Sequence, residues 1–244
     1  GTIFSDTAGT RITNSEFGVY TGIEEKMLED KLIVQVTARV DKNQNFDYVF
    51  SPAASLVYQP RKNHYARVSF SSALRNPTLA DQYLYLNVGP ATLSGNLTGV
   101  DSLVTLDSWL DFRNSLKRDT LDYFSVNSIR PEQVRTLEAG YRGSFGNDLY
   151  VDAGYYFSSY THFIGYVIGL DIAFDNSGIG LPKNVDAFRY AANSQNEVRT
   201  QGASIGLNYF LSDHLILNGN YSWNKLVKTD DKDPIIPAFN TPEH

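Results

Sequence analysis

Apolar and polar residues alternate along most of this chain. Between residues 32 and 42 every second residue is aliphatic, whereas the intervening positions carry Gln35, Arg39 and Asp41 among others. A period of two places alternate side chains on opposite faces of a β-strand. The same pattern recurs at about residues 15–27, 32–42, 49–59, 64–72, 133–145, 149–161, 198–210 and 214–226. The sequence therefore predicts an all-β protein of about eight antiparallel strands, each with one apolar and one polar face.

The predicted strands are long, and their connections alternate in length. Most have about ten residues or more, whereas strands of globular proteins have about 5–6, and a tilted strand crosses a membrane in about 9–11. Short turns join the strands in pairs, through LEDK, QPRKNH, FGNDL and LSD. The other connections are long, at about residues 42–48, 73–132, 162–197 and 227–238. This arrangement is typical of an antiparallel transmembrane β-barrel, with short periplasmic turns and long external loops.

Aromatic residues flank three of the short turns. The pairs are Tyr58 and Tyr65, Phe145 and Tyr150, and Tyr209 and Phe210. Aromatic rings at the ends of membrane-spanning strands form belts at the membrane–water interface. We therefore expect these residues to mark the short-turn side of the membrane.

Composition argues against several classes of function. The chain of 244 residues has a formal net charge of -6, which argues against a general role in binding nucleic acid. It contains no cysteine, so it has neither disulfides nor thiolate metal sites, and it has no run of about 18 apolar residues that would form a transmembrane helix. Its four histidines lack the spacing of a metal site and stand in no motif with a nucleophilic serine. We expect no cofactor, no metal and no enzymatic activity.

Four segments on or beside the predicted strands resemble motifs of TonB-dependent outer-membrane receptors. They are SALRNPTLADQY (72–83), IRPEQVRTLEAGYRGSF (129–145), TQGASIGLNYFLSDHLILNGNYSWN (200–224) and PAFNTPEH (237–244). The matching positions include Arg75, Asn76 and Pro77 in the first segment and Pro131 and Glu132 in the second. The four segments stand in the order of the family, and their style is closest to receptors of the Bacteroidetes type.

This resemblance implies a fold, a location and a mode of action. Family members have a barrel of about 22 strands that is filled by an N-terminal plug. Residues 1–244 would then be an internal part of that barrel domain, without the plug and the C-terminal strands. The parent protein would lie in the bacterial outer membrane, in contact with its lipid, and would take up a scarce nutrient such as a siderophore, an oligosaccharide or a peptide. Its energy would come from the TonB complex, acting on the plug domain that this sequence lacks.

The connection at about 73–132 carries the candidate ligand-binding residues. It is rich in aromatic side chains, which are a poor choice for a merely solvated loop, and aromatic faces bind sugars, peptides and flat chelates. The candidates are Arg75, Tyr83, Tyr85, Trp109 and Phe112. Arg75 could hold an anionic group of a small-molecule, glycan or peptide ligand. The alternative is that these residues form a small core within the loop itself.

Two other architectures compete with the receptor hypothesis. The first is a complete eight-stranded barrel that acts as an adhesin or a structural protein, because eight strands are enough for a closed barrel. A soluble carbohydrate-binding sandwich is the other, but it predicts shorter strands and a turn about every 8–12 residues. The sequence favours part of a larger barrel over both.

Overall fold

The structure, a computed structural model, describes residues 12–175, 181–212, 214–227 and 235. The motif at 237–244 lies outside these residues. The strands, in chain order, are β1 (Glu16–Met27), β2 (Leu32–Asn43), β3 (Val49–Arg61), β4 (His64–Arg75), β5 (Tyr85–Asn87), β6 (Thr92–Ser94), β7 (Val100–Val104), β8 (Tyr123–Val126), β9 (Glu132–Phe145), β10 (Leu149–Thr161), β11 (Ile164–Phe174), β12 (Pro182–Asn193), β13 (Val198–Ser212) and β14 (Leu215–Val227). The helices are α1 (Leu79–Tyr83), α2 (Leu106–Ser115) and a 3-10 turn at Arg118–Thr120.

The eight long strands form one open antiparallel sheet in the order β1-β2-β3-β4-β9-β10-β13-β14. All eight predicted strands are confirmed, and every predicted end lies within three residues of the observed one. Neighbouring strands pair in a register that keeps apolar residues together: Val36 lies opposite both Ile23 and Ala54. A slip of one residue would reverse the faces, so the alternation itself fixes this register.

The sheet has two faces of opposite character. The apolar face is exposed along its whole width, as Ile23 at 75%, Val68 at 50% and Tyr221 at 52% show. The polar face carries hydrogen-bonded side chains, for example Tyr156, whose hydroxyl donates to Asn224 Oδ1 at 2.8 Å. Soluble proteins rarely expose an apolar patch of such width. The apolar face therefore requires an apolar environment.

The two ends of the sheet also differ. At one end, here called the turn end, tight turns join β1 to β2, β3 to β4 and β9 to β10. All three turns use left-handed backbone, for example at Asp30 with a φ of 64°, at Asn63 with a φ of 63° and at Gly146 with a φ of 64°. At the opposite end, here called the loop end, the connections are long.

The aromatic belt predicted at the turn end is only partly correct. Tyr58, Phe145 and Tyr209 share the apolar face and are each about two-fifths exposed. Tyr65 and Tyr150 lie on the polar face, because they are opposite Arg142 and Ser144 in the register. A residue pair flanking a hairpin turn need not share a face, since the number of turn residues decides which way each side chain points.

The loop end holds a second sheet that the sequence analysis did not predict. Its six strands lie in the order β5-β6-β12-β11-β7-β8, and β6 pairs with β12 in parallel. Both long connections contribute to it, so the expectation of irregular loops over 73–132 and 162–197 was wrong for much of their length. We call this structure the loop sheet. No helix in the described ranges is long and apolar enough to cross a membrane.

The loop sheet has a core on each face. On one face, Leu103, Val126, Val167, Tyr190 and Ala192 are buried together. On the other, α2 packs on β11, and the buried residues there are Val104, Phe112, Leu121 and Leu170. Hydrophobic burial of this kind stabilises a fold by roughly 25 cal/mol per Å². The two connections therefore form a packed layer and not independent loops.

Candidate functional site at the loop end

A polar cleft of about 680 Å³ opens at the loop end of β1–β4. We call it the rim cleft. Its lining includes Glu16, Gly18, Arg39, Asp41 and Ser51. These residues share the polar face of the sheet, because Gly18 pairs with Asp41 and Arg39 with Ser51.

Most of the polar side chains in the rim cleft hold each other in place. The Arg39 guanidinium donates to Asp41, with Nη2 at 2.6 Å from Oδ1. Asn76 Nδ2 donates to Glu16 Oε2 at 2.9 Å, which joins β1 to the segment that follows β4. Gly18 makes room for the Asp41 carboxylate, since a Cβ there would lie 2.4 Å from Oδ1. The charges of the cleft are thus ordered before anything binds, which lowers the entropy cost of binding.

Ser51 is the exception within the rim cleft. It is 7% exposed, and its Oγ has no hydrogen-bond partner among the residues that the structure describes. A buried polar group of a native protein almost always has a partner, and leaving one unsatisfied costs about 1–3 kcal/mol. The hydroxyl can donate or accept, so it offers one hydrogen bond to a group that enters the cleft.

Glu132 joins the ends of both long connections to the eight-stranded sheet through hydrogen bonds. Its side chain is buried at the start of β9, and Oε2 lies 2.7 Å from Arg75 Nη2 at the end of β4. The same oxygen accepts a hydrogen bond of 2.9 Å from the backbone amide of Ile164, the first residue of β11. One carboxylate therefore joins three strands at the point where the loop sheet leaves the larger sheet.

Asparagine side chains tie the connections to one another. Asn193 Nδ2 donates to the carbonyl of His162 at 2.7 Å and to that of Arg130 at 3.0 Å. Asn96 is buried, and its Nδ2 donates to the carbonyls of Asn127 at 2.7 Å and Ala191 at 3.0 Å. The bonds from Asn193 to Arg130 and from Asn96 to Ala191 cross between the two long connections, so the loop end is one unit.

The connection between β2 and β3 joins the same unit. Asn45 Nδ2 donates to Gln82 Oε1 at 2.7 Å and to the Tyr83 hydroxyl at 2.9 Å. Tyr83 is one of the predicted ligand-binding residues. Its hydroxyl is therefore used in joining two connections, whereas its ring is half-buried.

The structure places the other predicted ligand-binding residues in three different settings. Arg75 is paired with Glu132, although 53% of its side chain is exposed. Tyr85 is 49% exposed on β5, at the edge of the loop sheet. Trp109 is half-buried and stacks on Phe112, with ring centroids 5.4 Å apart. Phe112 is only 1% exposed, so it belongs to a small core within the connection, as the alternative in the sequence analysis proposed. Ligand contacts at the five positions stay a prediction.

Two ionisable groups at the loop end have shifted pKa values. Burial is the main cause that raises the pKa of Tyr190, and the nearby Asp171 raises it further. The pKa of Glu197 is lowered, first by a hydrogen bond from Arg199 and then by one from Ser159. Tyr190 is packed and Glu197 is hydrogen-bonded, so structural roles explain both pKa shifts.

Among the described residues no group of three or more His, Asp or Glu side chains is arranged to hold a metal ion.

Comparison with known proteins decides the family. The family described as TonB dependent receptor-like, beta-barrel, matches residues 1–244. This chain belongs to the TonB-dependent receptor family. The family is one of receptors and transporters of the Gram-negative outer membrane. Its fold explains the two faces of the eight-stranded sheet: the sheet is part of a larger transmembrane barrel, with the apolar face toward lipid.

Solved structures of the family share the fold. The siderophore receptor PirA from Acinetobacter baumannii has a TM-score of 0.59 at 15% identity, covering 90% of this chain and 28% of that chain. A variant of the ferric enterobactin receptor PfeA from Pseudomonas aeruginosa, in complex with enterobactin, has a TM-score of 0.63 at 15% identity, with the same coverage. The FrpB iron transporter from Neisseria meningitidis has a TM-score of 0.54 at 13% identity, covering 92% of this chain and 27% of that chain.

The chain thus spans about 28% of the length of the first of these receptors. No curated protein sequence matches it. At identities of 13–15% these likenesses establish the fold, and the fold does not specify the ligand.

Some features of this site escaped the sequence analysis. The sequence analysis missed strands β11 and β12. The segment 164–174, which forms β11, is apolar enough to have indicated a buried strand. Glu132 and Arg75 stood out as motif residues, but their contact joins positions 57 residues apart in sequence. Asn96 and Asn193 carried no signal, because a buried asparagine is recognised only from its partners.

Proposed function

We propose that this chain forms part of the wall of an outer-membrane receptor that takes up a scarce nutrient, with the rim cleft and the loop sheet on the outer surface. The nutrient class is a small molecule such as a siderophore, with oligosaccharides and peptides as the other candidates. Energy for uptake comes from the TonB complex, acting through a plug domain elsewhere in the parent protein. Binding and gated passage are sufficient for this function, without covalent chemistry.

One observation carries the proposal. Three connections at the loop end are cross-linked by buried or half-buried side chains into a preformed layer beside a polar cleft. A merely structural barrel needs no such ordered layer, whereas a receptor gains affinity when its binding surface is ordered in advance. The unsatisfied Ser51 hydroxyl in the rim cleft supports the same interpretation.

The experiment is uptake by whole cells that express the full-length receptor in place of their own. Cells receive radioactive iron as ferric enterobactin, a labelled oligosaccharide or a labelled peptide. We expect one probe to accumulate, and we expect accumulation to stop when TonB is inactivated while surface binding persists. Uptake that is unchanged without TonB, or no uptake of any class, would contradict the proposal.

Ser51 connects that experiment to the rim cleft. In a Ser51→Ala receptor, the lost hydrogen bond to a bound group would weaken binding about tenfold, since a hydrogen bond is worth about 0.5–1.5 kcal/mol. Ser55→Ala is the matched control, because Ser55 lies on the same face of β3 but further from the loop end. Equal binding by both variants would remove the cleft from the binding site while leaving the uptake function in place.

A further inference from the structure

Among the residues that the structure describes, Arg189 has no polar partner for its charge. It lies on β12 of the loop sheet, and its guanidinium carbon stands 3.4 Å from the ring centroid of Tyr166 on β11. The register places Arg189 opposite Ile168 and Tyr166 opposite Ala191, so the stacking is a diagonal contact across the two strands. The guanidinium makes no hydrogen bond or ion pair with any residue that the structure describes.

This stacked arginine lines a small pocket of about 180 Å³. The walls are mainly apolar, and they include Ala80, Leu84, Leu93 and Ala191. Gly165 contributes backbone only to the lining. At about 30 Å³ per water, the space corresponds to roughly six waters, enough for a single ring with one polar substituent. None of these residues lines the rim cleft.

Two polar side chains in the pocket are already engaged. Ser94 Oγ donates to the carbonyl of Gly95 at 3.0 Å. The Asp81 carboxylate caps α1, where Oδ2 accepts from both the amide and the hydroxyl of Thr78 at 2.8 Å. Among the described residues that line the pocket, Arg189 is the cationic group whose hydrogen-bonding capacity is left for a ligand.

We propose that the Arg189–Tyr166 pocket binds the carboxylate of a small ligand with an aromatic or short aliphatic body. The planar guanidinium matches a carboxylate through two parallel hydrogen bonds, and stacking on a tyrosine holds the plane of the fork in place. The apolar walls take the ligand body. Asp81 in the same wall is negatively charged and repels a doubly charged anion about twice as strongly as a singly charged one, so the pocket favours a carboxylate over a phosphate dianion.

This inference deepens the proposed function, because it names the chemistry of one ligand contact, and it depends on that function only for its role in uptake. Binding itself can be measured directly. The test uses fluorine NMR of para-fluorobenzoate with the full-length receptor in detergent micelles, and para-fluorobenzamide as the neutral analogue of equal shape.

We expect the benzoate signal to broaden with the wild-type receptor and the benzamide signal to stay sharp. Arg189→Gln should weaken benzoate binding at least about tenfold, since hydrogen bonds to charged groups are worth about 1.5–3 kcal/mol. Tyr166→Phe should retain binding, because stacking needs only the ring. Arg142→Gln is the matched control: Arg142 also lies over a tyrosine ring, that of Tyr65 at 5.6 Å, but on the eight-stranded sheet.

No benzoate binding by the wild type, equal binding of benzamide, or full binding by a folded Arg189→Gln receptor would each overturn the inference. Displacement of benzoate by equimolar inorganic phosphate would overturn the selection for a single charge. If Arg189→Gln fails to fold, Arg189→Lys keeps the charge without the fork and should bind more weakly than the wild type. Uptake of the nutrient with no benzoate binding would refute the pocket alone, whereas benzoate binding without TonB-dependent uptake would refute the proposed function alone.

Discussion

At the scale of the residue, single polar side chains join the connections of the loop end to one another. Asn96 is small and carries both a donor and an acceptor, so one buried side chain bonds two carbonyls and also accepts from the amide of Gly99 at 3.0 Å. An asparagine can close such a set of bonds because its amide group presents oxygen and nitrogen side by side. Loss of any partner would leave a buried polar group unsatisfied, which costs about 1–3 kcal/mol.

Gly95 gives a prediction at this scale. A Cβ at Gly95 would lie 2.4 Å from the backbone carbon of Gln82 and 2.5 Å from the amide nitrogen of Tyr83. These are backbone atoms that cannot rotate away, so Gly95→Ala should push β6 from the end of α1. The cost is that of overpacking, about 1–3 kcal/mol. It should appear as faster hydrogen exchange at the Gly95 amide, which donates to Leu84 at 2.8 Å.

Gly219→Ala is the control for that substitution. Nothing lies within 4 Å of a Cβ at Gly219 on β14, so the added methyl group meets open space. Exchange rates in the loop sheet should then equal those of the wild type. If Gly95→Ala also leaves them unchanged, the close approach of α1 to β6 is not a constraint on the fold.

At the scale of the element, α2 depends on one buried ring. The helix begins after Thr105, whose hydroxyl accepts from the Ser108 amide at 3.3 Å, and ends at Leu116 in left-handed conformation with a φ of 56°. Ten residues are too few for a stable isolated helix in water. Its attachment comes from Phe112, which is 1% exposed and meets Phe174 edge to face at 5.8 Å.

Phe112→Ala should therefore release α2 from the loop sheet. Removing a buried phenyl group costs about 3–5 kcal/mol, more than a short surface helix can compensate. Limited proteolysis of the full-length receptor would detect the change as new cleavage within 106–115. Leu110→Ala on the same helix should leave the cleavage pattern intact, since Leu110 is 46% exposed. Equal protection of both variants would contradict the anchoring role of Phe112.

Glu132 allows a graded test of how the two sheets are joined. Glu132→Gln keeps an oxygen for the Ile164 amide but loses the ion pair with Arg75, whereas Glu132→Ala loses both. We expect hydrogen exchange at the Ile164 amide to rise slightly in the first variant and strongly in the second, because a hydrogen bond to a charged group is worth about 1.5–3 kcal/mol.

Glu138 supplies the comparison for Glu132 on the same face of β9. Among the described residues, its carboxylate accepts only a long hydrogen bond of 3.5 Å, from Ser69. Glu138→Ala should therefore leave exchange at Ile164 unchanged. A rise as large as that of Glu132→Ala would show that the effect belongs to β9 as a whole and not to the buried carboxylate.

The elements differ in how far the sequence could predict them. The eight long strands carry their own signal, since each has one face toward an apolar medium and one toward polar groups. Strand β11 shows no alternation, because Val167 and Leu170 are buried on opposite faces, and its sequence is a mostly apolar run interrupted by Asp171. Strands β5 and β6 have three residues each, too short for any period to show. Aromatic residues of the connection were recognised, but whether a ring such as Phe112 faces a core or a ligand depends on partners distant in sequence.

At the scale of the whole molecule, the eight-stranded sheet is open at both edges within the part of the chain that the structure describes. Every residue of β1 is exposed, and most of β14 is exposed as well. Unpaired edge strands present free backbone groups that in lipid must be satisfied by further strands. Both edges are accounted for in a larger barrel of the family, where each would pair with a neighbouring strand.

The orientation of the sheet in that barrel gives the last prediction. Val68 lies near the middle of β4 on the apolar face, opposite Leu56 and Ala139. Val68→Arg would place a charge toward lipid, at a cost of about 2–4 kcal/mol near the bilayer midplane. Ser69→Arg, one residue on, should be tolerated, because Ser69 lies on the polar face with the Glu138 carboxylate 3.5 Å away. The measurement is the folded fraction of full-length receptor in bilayers, read from the shift in mobility between unheated and heated samples. Val68→Arg should lower that fraction and Ser69→Arg should match the wild type. The opposite order would mean that the face assigned to lipid lines the interior of the barrel.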